Sequence, residues 1–299
     1  MILITGITGK TGKWFLKRLI EEKDNIKLRE KKFKVVIRKS SDTGIIDKSL
    51  LNMEKVYGDL NDVNFVKSIM NNVKIVLHIA GIYLSLNIVK AAIENNVKWL
   101  ILVHTTGIYS KYKSASREYL SIENEIETLI KDKNIKITIL RPTMIYGSII
   151  DRNIIVFIKM LDKLRLFPVV NHARYYLQPV HEKDLGNAYY QVLINEDKTA
   201  NKNYNLSGKE PIMLIDIFKI IGKSLKKTNI FVSIPFSFAY FGGCVLYIFT
   251  FGRIDYREKI KRLVEDRTFD HSEASQDFGY APMSFEEGIK NEIIEYLHK

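Results

Sequence analysis

Cysteine is nearly absent from this sequence. Cys244 is the single cysteine among 299 residues. One thiol excludes a disulfide within the chain and any zinc site built on several cysteines. Such sparing use of cysteine is typical of a reducing compartment, so we expect a cytoplasmic protein. His78 and His104 fall near the ends of predicted strands without the spacing of metal ligands, so no metal site is predicted.

A concentrated basic module is also missing, although the chain is strongly basic. Its 46 lysines and arginines outnumber 34 acidic residues, which gives a formal net charge of +12. The basic residues are spread along the whole chain, and the densest run, residues 27–34, contains Glu30. No basic module interleaved with aromatic residues occurs, which argues against nucleic-acid binding. The sequence instead indicates a basic surface that would favour anionic substrates or a membrane surface.

Long hydrophobic runs are rare, and one uncharged segment is the exception. It begins at Ile234 and ends at Gly252, and it approaches the length of a bilayer span. Pro235 and the pair Gly242-Gly243 interrupt it, which favours a buried or interface helix. A contact with a membrane surface, leaving the protein membrane-associated, and a true span stay open as alternatives. The N-terminal residues show no signal-peptide pattern.

The first half of the chain alternates short β-branched runs with amphipathic helical stretches. Such alternation predicts a parallel sheet with crossover helices, because the chain must return over the sheet before the next parallel strand starts. The units do not repeat one another in sequence, so the predicted fold class is α/β, a doubly wound parallel Rossmann sheet. Strands are predicted at residues 1–5, 33–38, 55–57, 75–80, 100–104 and 135–140. Helices are predicted at residues 12–22, 63–70, 84–95 and 114–131.

The rhythm of the sequence changes after Pro142. No low-complexity linker follows, so we expect a smaller C-terminal substrate lobe that is interleaved with the sheet domain. Further helices are predicted at residues 154–164, 183–194 and 211–226, and a short strand at residues 203–206. The predicted division assigns residues 1–147 and about 175–200 to the Rossmann domain. The smaller lobe takes residues 148–174 and 201–299.

Three glycines lie directly after the first predicted strand. Gly6, Gly9 and Gly12 stand three residues apart, and Gly12 opens the first predicted helix. Glycines let the backbone turn tightly and approach a pyrophosphate, which the N-terminus of the helix attracts. The end of this turn also looks like a triphosphate P-loop, but that motif needs a glycine where Ile4 stands. The turn therefore predicts a dinucleotide cofactor.

The turn Thr5-Gly6-x-Thr8-Gly9-x-x-Gly12 resembles that of the extended or atypical short-chain dehydrogenase/reductase superfamily. Further matches extend along nearly the whole chain in the order of that superfamily. They are Gly58-Asp59-Leu60, His78-Ile79-Ala80-Gly81, Arg141-Pro142-Thr143-x-x-Tyr146-Gly147, Val180-His181-x-x-Asp184-Leu185 and Tyr204-Asn205-Leu206-Ser207-Gly208. The resemblance implies an NAD(P)-binding, epimerase/dehydratase-like protein. It also implies cofactor contacts from Gly6, Thr8, Gly9, Lys10, Thr11, Gly12, Asp59, Leu60, Ala80, Gly81, Pro142 and Thr143.

The end of the second predicted strand bears on which dinucleotide is bound. An NAD-selective site places an acidic residue about 20 residues beyond the glycines, where it bonds the ribose hydroxyls. Here the strand ends in Arg38 and Lys39 instead. A guanidinium matches a 2′-phosphate in charge and in bidentate geometry. We therefore expect NADP at Arg38 and Lys39, with NAD as the alternative.

The catalytic positions that the resemblance implies are only partly filled. The superfamily needs a hydroxyl after the fifth strand, which Thr106 supplies, and then a tyrosine as acid/base with a lysine one helical turn later. Tyr119 is the predicted tyrosine, but its partner four residues on is Glu123 and the lysine is absent. A carboxylate beside a phenol would favour the neutral phenol and weaken it as a base. A literal Tyr-x-x-x-Lys does occur from Tyr109 to Lys113. It starts only three residues after Thr106, which is too early for the helix face that should meet the nicotinamide.

Two classes of function follow from these observations. The first is an NADP-binding oxidoreductase, epimerase or dehydratase that transfers hydride to or from a small carbonyl or alcohol substrate. By resemblance alone, nucleotide sugars are the expected substrate class. The second is a catalytically degenerate NADPH-binding sensor or scaffold, for which Glu123 is the main support.

Overall fold

The β-branched runs of the first half form the strands of one large sheet. The structure, a computed structural model, describes residues 1–298. The strands are β1 (Ile2–Thr5), β2 (Phe33–Ile37), β3 (Met53–Tyr57), β4 (Ile75–His78), β5 (Trp99–Val103), β6 (Lys136–Pro142), β7 (Ile145–Tyr146), β8 (Leu166–Val170), β9 (Tyr176–Leu177), β10 (Val180–His181), β11 (Asn203–Leu206), β12 (Ile212–Met213) and β13 (Ile230–Ile234).

Seven of these strands pair in the order β3-β2-β1-β4-β5-β6-β11, and every neighbouring pair is parallel. The central strands are mostly apolar because helices cover both faces of the sheet. Ile4 of β1 lies opposite Val35 of β2 on one side and Leu77 of β4 on the other. The chain winds outward from β1 to β3 and then returns to β4. This arrangement confirms the predicted doubly wound Rossmann sheet.

The helices are α1 (Lys10–Glu21), α2 (Gly44–Asp47), α3 (Val63–Ile69), α4 (Ser85–Glu94), α5 (Ser116–Ile130), α6 (Ile154–Lys163), α7 (Glu182–Ile194), α8 (Glu196–Thr199), α9 (Leu214–Ser224), α10 (Phe236–Phe249), α11 (Arg257–Arg262), α12 (Ser272–Phe278) and α13 (Phe285–Leu297). Helices α1, α7 and α12 bury their apolar stripes on one face of the sheet. Helices α3, α4 and α5 cover the other face. Two apolar layers therefore fix the sheet between helices.

The smaller lobe has an apolar core of its own, in which α6, α9 and α13 pack against β8. Phe167 of β8 and Phe218 of α9 are central to it, with ring centroids 4.9 Å apart. Short two-stranded pairings, β7 with β10, β9 with β12 and β8 with β13, tie the segments of the lobe together. Tyr146 of β7, which follows β6 in the chain, belongs to the core of the lobe.

The predicted strand at residues 203–206 is present as β11, but it lies in the large sheet. β11 pairs with β6, with Tyr204 opposite Leu140, whereas the predicted division placed these residues in the smaller lobe. Tyr204 is buried under α12, which packs on the same strand. The remaining boundaries of the predicted division stay a prediction. Within residues 1–298, no helix has both the length and the hydropathy required to cross a bilayer.

Candidate functional site

A cleft of about 720 Å³ opens at the carboxyl ends of the sheet strands. One wall comes from the loops that follow β1 to β5, and the other comes from β7, β9 and the segment after α11. The cleft lies where the strand order reverses between β1 and β4, which is where open α/β sheets bind their ligands. Among the predicted cofactor residues, those that line it are Gly6, Thr8, Gly9, Lys10, Thr11, Arg38, Asp59, Leu60, Ala80 and Thr143.

The glycine turn forms the floor of the cleft. Gly6 has a φ of 74°, and a side chain there would collide with the backbone of Ala80. A Cβ on Gly12 would strike the carbonyl oxygen of Gly6, so Gly12 lies under the turn and does not itself line the cleft. Helix α1 starts at Lys10 after Gly9, and no side chain caps its first turn. Its free backbone N–H groups therefore fit the pyrophosphate of a dinucleotide.

Opposite charges line the part of the cleft beyond β2 and β3. Arg38 and Asp59 both face it, while Lys39 is exposed and lies outside the lining. Asp59 accepts hydrogen bonds from the backbone and side chain of Asn61, each at 2.9 Å. These bonds, with a smaller contribution from the charge of Arg38, hold the pKa of Asp59 below its ordinary value. Arg38 is thus held near a carboxylate and still faces the cleft.

The segment after β4 is fixed by His78, which serves a structural role. Its Nδ1 lies 2.7 Å from Thr5 Oγ1 and its Nε2 lies 3.0 Å from the carbonyl oxygen of Gly81. Burial lowers the pKa of His78 to about 4, so the ring is neutral at physiological pH. Gly81 has a φ of 117° and lies next to the lining residue Ala80. The neutral histidine therefore holds the β1 and β4 ends together beneath the cofactor wall.

The loop after β5 brings hydroxyl groups and a lysine to the cleft. Thr105, Thr106, Tyr109, Ser110 and Lys113 all line it. The Thr106 hydroxyl donates a hydrogen bond of 3.2 Å to the carbonyl oxygen of Pro142, which itself lies behind the wall. Tyr109 is 48% exposed, so its phenol is open to a ligand. The early Tyr-x-x-x-Lys sequence therefore stands in the cleft.

Tyr119 lies behind this loop and is not among the lining residues. It is buried on α5, and its ring centroid lies 5.3 Å from that of Tyr83. A hydrogen bond with Tyr119 raises the pKa of Tyr83 to about 12. Lys113 Nζ lies 4.7 Å from the Tyr119 ring centroid, between that ring and the cleft. The structure thus brings Lys113 to Tyr119, although the two are not one helical turn apart.

Glu123 is fully occupied by partners that its position in the sequence does not reveal. Arg141 Nε donates to it at 3.0 Å, and His104 Nδ1 lies 2.8 Å from the same oxygen. The carboxylate is buried, which acts to raise its pKa, but the hydrogen bonds from His104 and Arg141 outweigh burial and lower it. The charge of Glu123 is therefore neutralised by Arg141. It is a structural counter-ion and does not face the cleft.

Three arginines from outside the sheet loops line the cleft: Arg152, Arg262 and Arg267. The Nε atoms of Arg262 and Arg267 are buried and have no hydrogen-bond partner among the described residues. Burial lowers the pKa of Arg267 to about 10, which still leaves it charged at neutral pH. Guanidinium groups whose Nε atoms are buried without a partner favour an anionic ligand, because its charge offsets their desolvation. This wall can bind a phosphate or a diphosphate.

Sequence reasoning did not find this arginine wall. None of the three arginines was among the site residues predicted from the sequence. The arginines come from two distant segments: Arg152 precedes α6, whereas Arg262 and Arg267 lie at the end of α11 and just after it. Glu265, beside them, accepts hydrogen bonds from Ser110 Oγ at 2.8 Å and from the backbone of Lys111 at 2.7 Å. In the sequence, Arg262 and Arg267 belong to a charged stretch after the apolar segment. The sequence does not show that their side chains face the cleft.

Comparison with known proteins agrees with this geometry. A family model described as NAD(P)H-binding matches residues 6–156. No curated protein sequence matches the chain. Among solved structures, a UDP-glucose 4-epimerase from Thermotoga maritima has a TM-score of 0.72 at 18% identity, covering 99% of this chain and 98% of that one. A dTDP-glucose 4,6-dehydratase from Streptomyces venezuelae, with NAD bound, has a TM-score of 0.73 at 14% identity, covering 100% and 97%.

A third similar structure is a UDP-glucuronic acid 4-epimerase from Bacillus cereus in complex with UDP-glucuronic acid and NAD. It has a TM-score of 0.73 at 16% identity, and it covers 99% of each chain. At these identities the likeness shows a shared fold over the whole length. Together with the family match, it confirms the predicted superfamily and the epimerase/dehydratase-like architecture.

Proposed function

The chain belongs to the NAD(P)H-binding family, and on this premise we propose that it is an NADP-dependent oxidoreductase, epimerase or dehydratase acting on a nucleotide sugar. The observation that carries the proposal is the pairing of two anion-binding walls in one cleft. The glycine turn with the open N-terminus of α1 fits the pyrophosphate of the cofactor, and Arg152, Arg262 and Arg267 line the same cleft. With the cofactor at the glycine turn, a substrate that carries its own phosphates would find its binding groups in the arginines.

The residues present fit a dinucleotide cofactor. A side chain at Gly6 or Gly12 would fill the space where the turn closes, and Ala80 and Thr143 bound the same space from β4 and β6. Arg38 faces the cleft where the adenosine ribose of a dinucleotide would lie, which supports NADP. When bound, the nicotinamide would supply hydride acceptance and donation.

Around the reacting carbon, the side chains of the β5 loop would handle the proton. The Thr106 hydroxyl is the candidate for orienting a substrate oxygen. The resemblance predicts Tyr119 as the acid/base. An acid/base must, however, reach the substrate. Tyr109 is open to the cleft and Tyr119 is not, so the geometry favours Tyr109. The ammonium of Lys113 supplies the positive charge that α5 lacks, since Glu123 occupies the lysine position.

Hydride transfer tests the enzyme proposal directly. Purified protein with NADPH or NADP is presented with a panel of UDP- and dTDP-sugars, and cofactor absorbance and sugar products are measured. We expect turnover that falls in Arg267→Gln mainly through a higher KM, since that arginine binds and does not react. Tyr109→Phe should lose kcat by about 100-fold, a typical acid/base contribution.

Tyr119→Phe serves as the matched control, with the smaller effect on kcat. The reverse ranking would restore Tyr119 as the acid/base. If bound NADPH stays unoxidised across the whole panel, the enzyme proposal fails. The second candidate, an NADPH-binding sensor or scaffold, would then hold. The observation favouring it is that Glu123 and Arg141 lock together where the lysine would stand.

Cofactor choice is tested at Arg38. Arg38→Ala should weaken NADP binding by about tenfold, the loss of one charge-assisted contact, and leave NAD binding within a factor of about two. Titration of both cofactors by intrinsic fluorescence measures the two affinities, and Lys39→Ala is the control at the neighbouring exposed position. Tighter binding of NAD than of NADP by the unaltered protein would contradict the choice.

A further inference from the structure

Helix α10 is apolar along its whole length, yet the protein leaves it almost unburied. Gly243 is its single buried residue. Phe238, Phe241, Ile248 and Phe249 are 71%, 67%, 68% and 79% exposed. A folded protein rarely presents a continuous row of large apolar side chains to water unless that surface binds something. The segment that the sequence singled out therefore forms a surface and is not part of a core.

Only one stripe of α10 contacts the rest of the protein. Tyr240 and Tyr247 lie on either side of Gly243 and face α11, where Arg257 stands 3.8 Å from the Tyr247 ring centroid and Lys261 stands 5.0 Å from that of Tyr240. The four exposed residues follow at intervals of three, seven and one, so they share the opposite face of the helix. We call this row of Phe238, Phe241, Ile248 and Phe249 the outer face.

Positive charge follows α10 in the chain, on α11 and in the turn before it. No residue from 230 to 252 is charged, and the next eleven residues carry five cations and two carboxylates. The cations are Arg253, Arg257, Lys259, Lys261 and Arg262. Phe251, in the turn between the charged and uncharged stretches, is 94% exposed. An apolar row beside a cluster of cations matches the layered chemistry of an anionic bilayer, with acyl chains below and phosphate headgroups above.

The size of α10 fits a helix that lies along a bilayer surface. It has 14 residues and is therefore about 21 Å long, shorter than the roughly 30 Å of hydrocarbon in a bilayer. Its outer face is one stripe and its inner stripe packs on α11. A helix arranged in this way buries one face in lipid and keeps the other against the protein.

We propose that the outer face of α10, with Phe251, docks on an anionic phospholipid surface. The cations of α11 and its preceding turn then lie at the level of the headgroups. A second copy of this chain is a poorer occupant, because a twofold contact through the same patch would bring the two clusters of cations together. The proposal does not depend on turnover at the cleft.

Docking would also bring the cleft close to the bilayer. Arg262 is the last residue of α11 and lines the cleft, while Arg257 at the start of the same helix contacts α10. Helix α11 has six residues, so it spans about 9 Å. The arginine wall and the docking surface are therefore joined by one short helix.

Vesicle flotation tests the proposal with the full-length protein. Vesicles of phosphatidylcholine with one third phosphatidylglycerol should carry the unaltered protein upward in a density gradient, and pure phosphatidylcholine should carry much less. Phe238→Ser/Phe241→Ser should reduce the partition coefficient by about tenfold or more, since two inserted aromatic side chains are lost. Ile26→Ser/Val63→Ser is the control, because those side chains are 84% and 47% exposed elsewhere on the surface.

The charge component is tested separately. Lys259→Gln/Lys261→Gln should weaken binding to the anionic vesicles, and raised salt should do the same, whereas Lys23→Gln/Lys48→Gln should have no effect. Circular dichroism and thermal melting establish that every variant is folded. Failure of the unaltered protein to float would overturn the proposal. So would equal flotation by the Phe238→Ser/Phe241→Ser variant, or a dimer in light scattering that this variant converts to monomer without any flotation of the parent.

Discussion

The sheet domain and the smaller lobe each bury a glutamate, and the two are held in opposite ways. Glu123 on α5 receives hydrogen bonds from Arg141 and His104, and its pKa lies below its ordinary value. Glu292 on α13 is completely buried and receives a hydrogen bond of 2.9 Å from the backbone of Gly147, and burial together with the neighbouring carboxyl of Asp151 raises its pKa to about 9. A buried carboxyl keeps its charge where a cation is supplied and keeps its proton where none is.

The two walls of the cleft differ in the kind of group that they offer to a ligand. The sheet side is built from backbone, with glycines and the N-terminus of α1 as its binding groups. The lobe side is built from charged side chains, among them Arg262 and Arg267, whose Nε atoms are buried without a hydrogen-bond partner among the described residues. A backbone site depends on close packing, so it is sensitive to added volume. A side-chain site depends on charge, so it is sensitive to the loss of a guanidinium.

The largest expected effect comes from breaking the buried pair in the sheet domain. Arg141→Met leaves Glu123 buried without its main counter-ion, and it should lower the free energy of unfolding by about 3–5 kcal/mol. Chemical denaturation measures this change. The double variant Glu123→Gln/Arg141→Met should recover most of the loss, because no charge is then buried alone. A double variant as unstable as Arg141→Met would show that the arginine acts by packing and not by charge.

Added volume at the glycine turn is expected to have the next largest effect. Gly12→Val places a side chain against the Gly6 carbonyl and should lower the free energy of unfolding by about 3 kcal/mol, with loss of cofactor binding. Gly242→Ala is the matched control: it adds a methyl group to a helical glycine with open space around it, so stability should rise by about 0.5–1 kcal/mol. Retained NADP binding by a folded Gly12→Val protein would contradict the close packing of the turn.

The smallest of the three effects concerns Glu292 and depends on pH. Its folded-state pKa of about 9 lies above the ordinary value of 4.5, so the folded protein holds this proton more tightly than the unfolded chain. Its stabilising contribution is fully present below about pH 4.5 and is lost as the pH rises toward 9. Glu292→Gln removes this loss, so its stability relative to the unaltered protein should rise steadily between pH 5 and 9.

Thermal or urea unfolding at several pH values measures the Glu292→Gln difference. Glu123→Gln provides the opposite case, because its parent carboxylate has a lowered pKa and stabilises the fold only when it is charged. That variant should lose stability relative to the parent at neutral pH and approach it in acid. Parallel pH profiles for the two variants would remove the distinction between the two regions.

Much of the sheet domain could be predicted because its signals are local. β-branched runs predicted the strands to within a few residues, as with β3 and β4. The spacing of the three glycines predicted the tight turn after β1. Strand partners were less accessible. β11 was recognised as a strand but was assigned to the smaller lobe and not to the large sheet. Its pairing with β6 depends on where the chain returns after about 60 intervening residues.

Catalytic residues were harder to predict for the same reason. The interval between Tyr119 and Glu123 indicated a shared helix face, and the face is real. What the sequence did not show is that Arg141, on β6, turns toward Glu123, or that Lys113 reaches the cleft from the loop before α5. A side chain's neighbours across the fold decide its protonation and its access, and they lie many residues away.

The sequence by itself determined the Rossmann sheet, the NAD(P)-binding family and the glycine turn, because these follow from hydrophobic period and backbone freedom within short windows. Tertiary structure alone decided that Arg152, Arg262 and Arg267 line one cleft, that Glu123 is paired, and that α10 stays exposed. Those facts depend on contacts between distant segments, and they come into being only when the sheet and the lobe pack together.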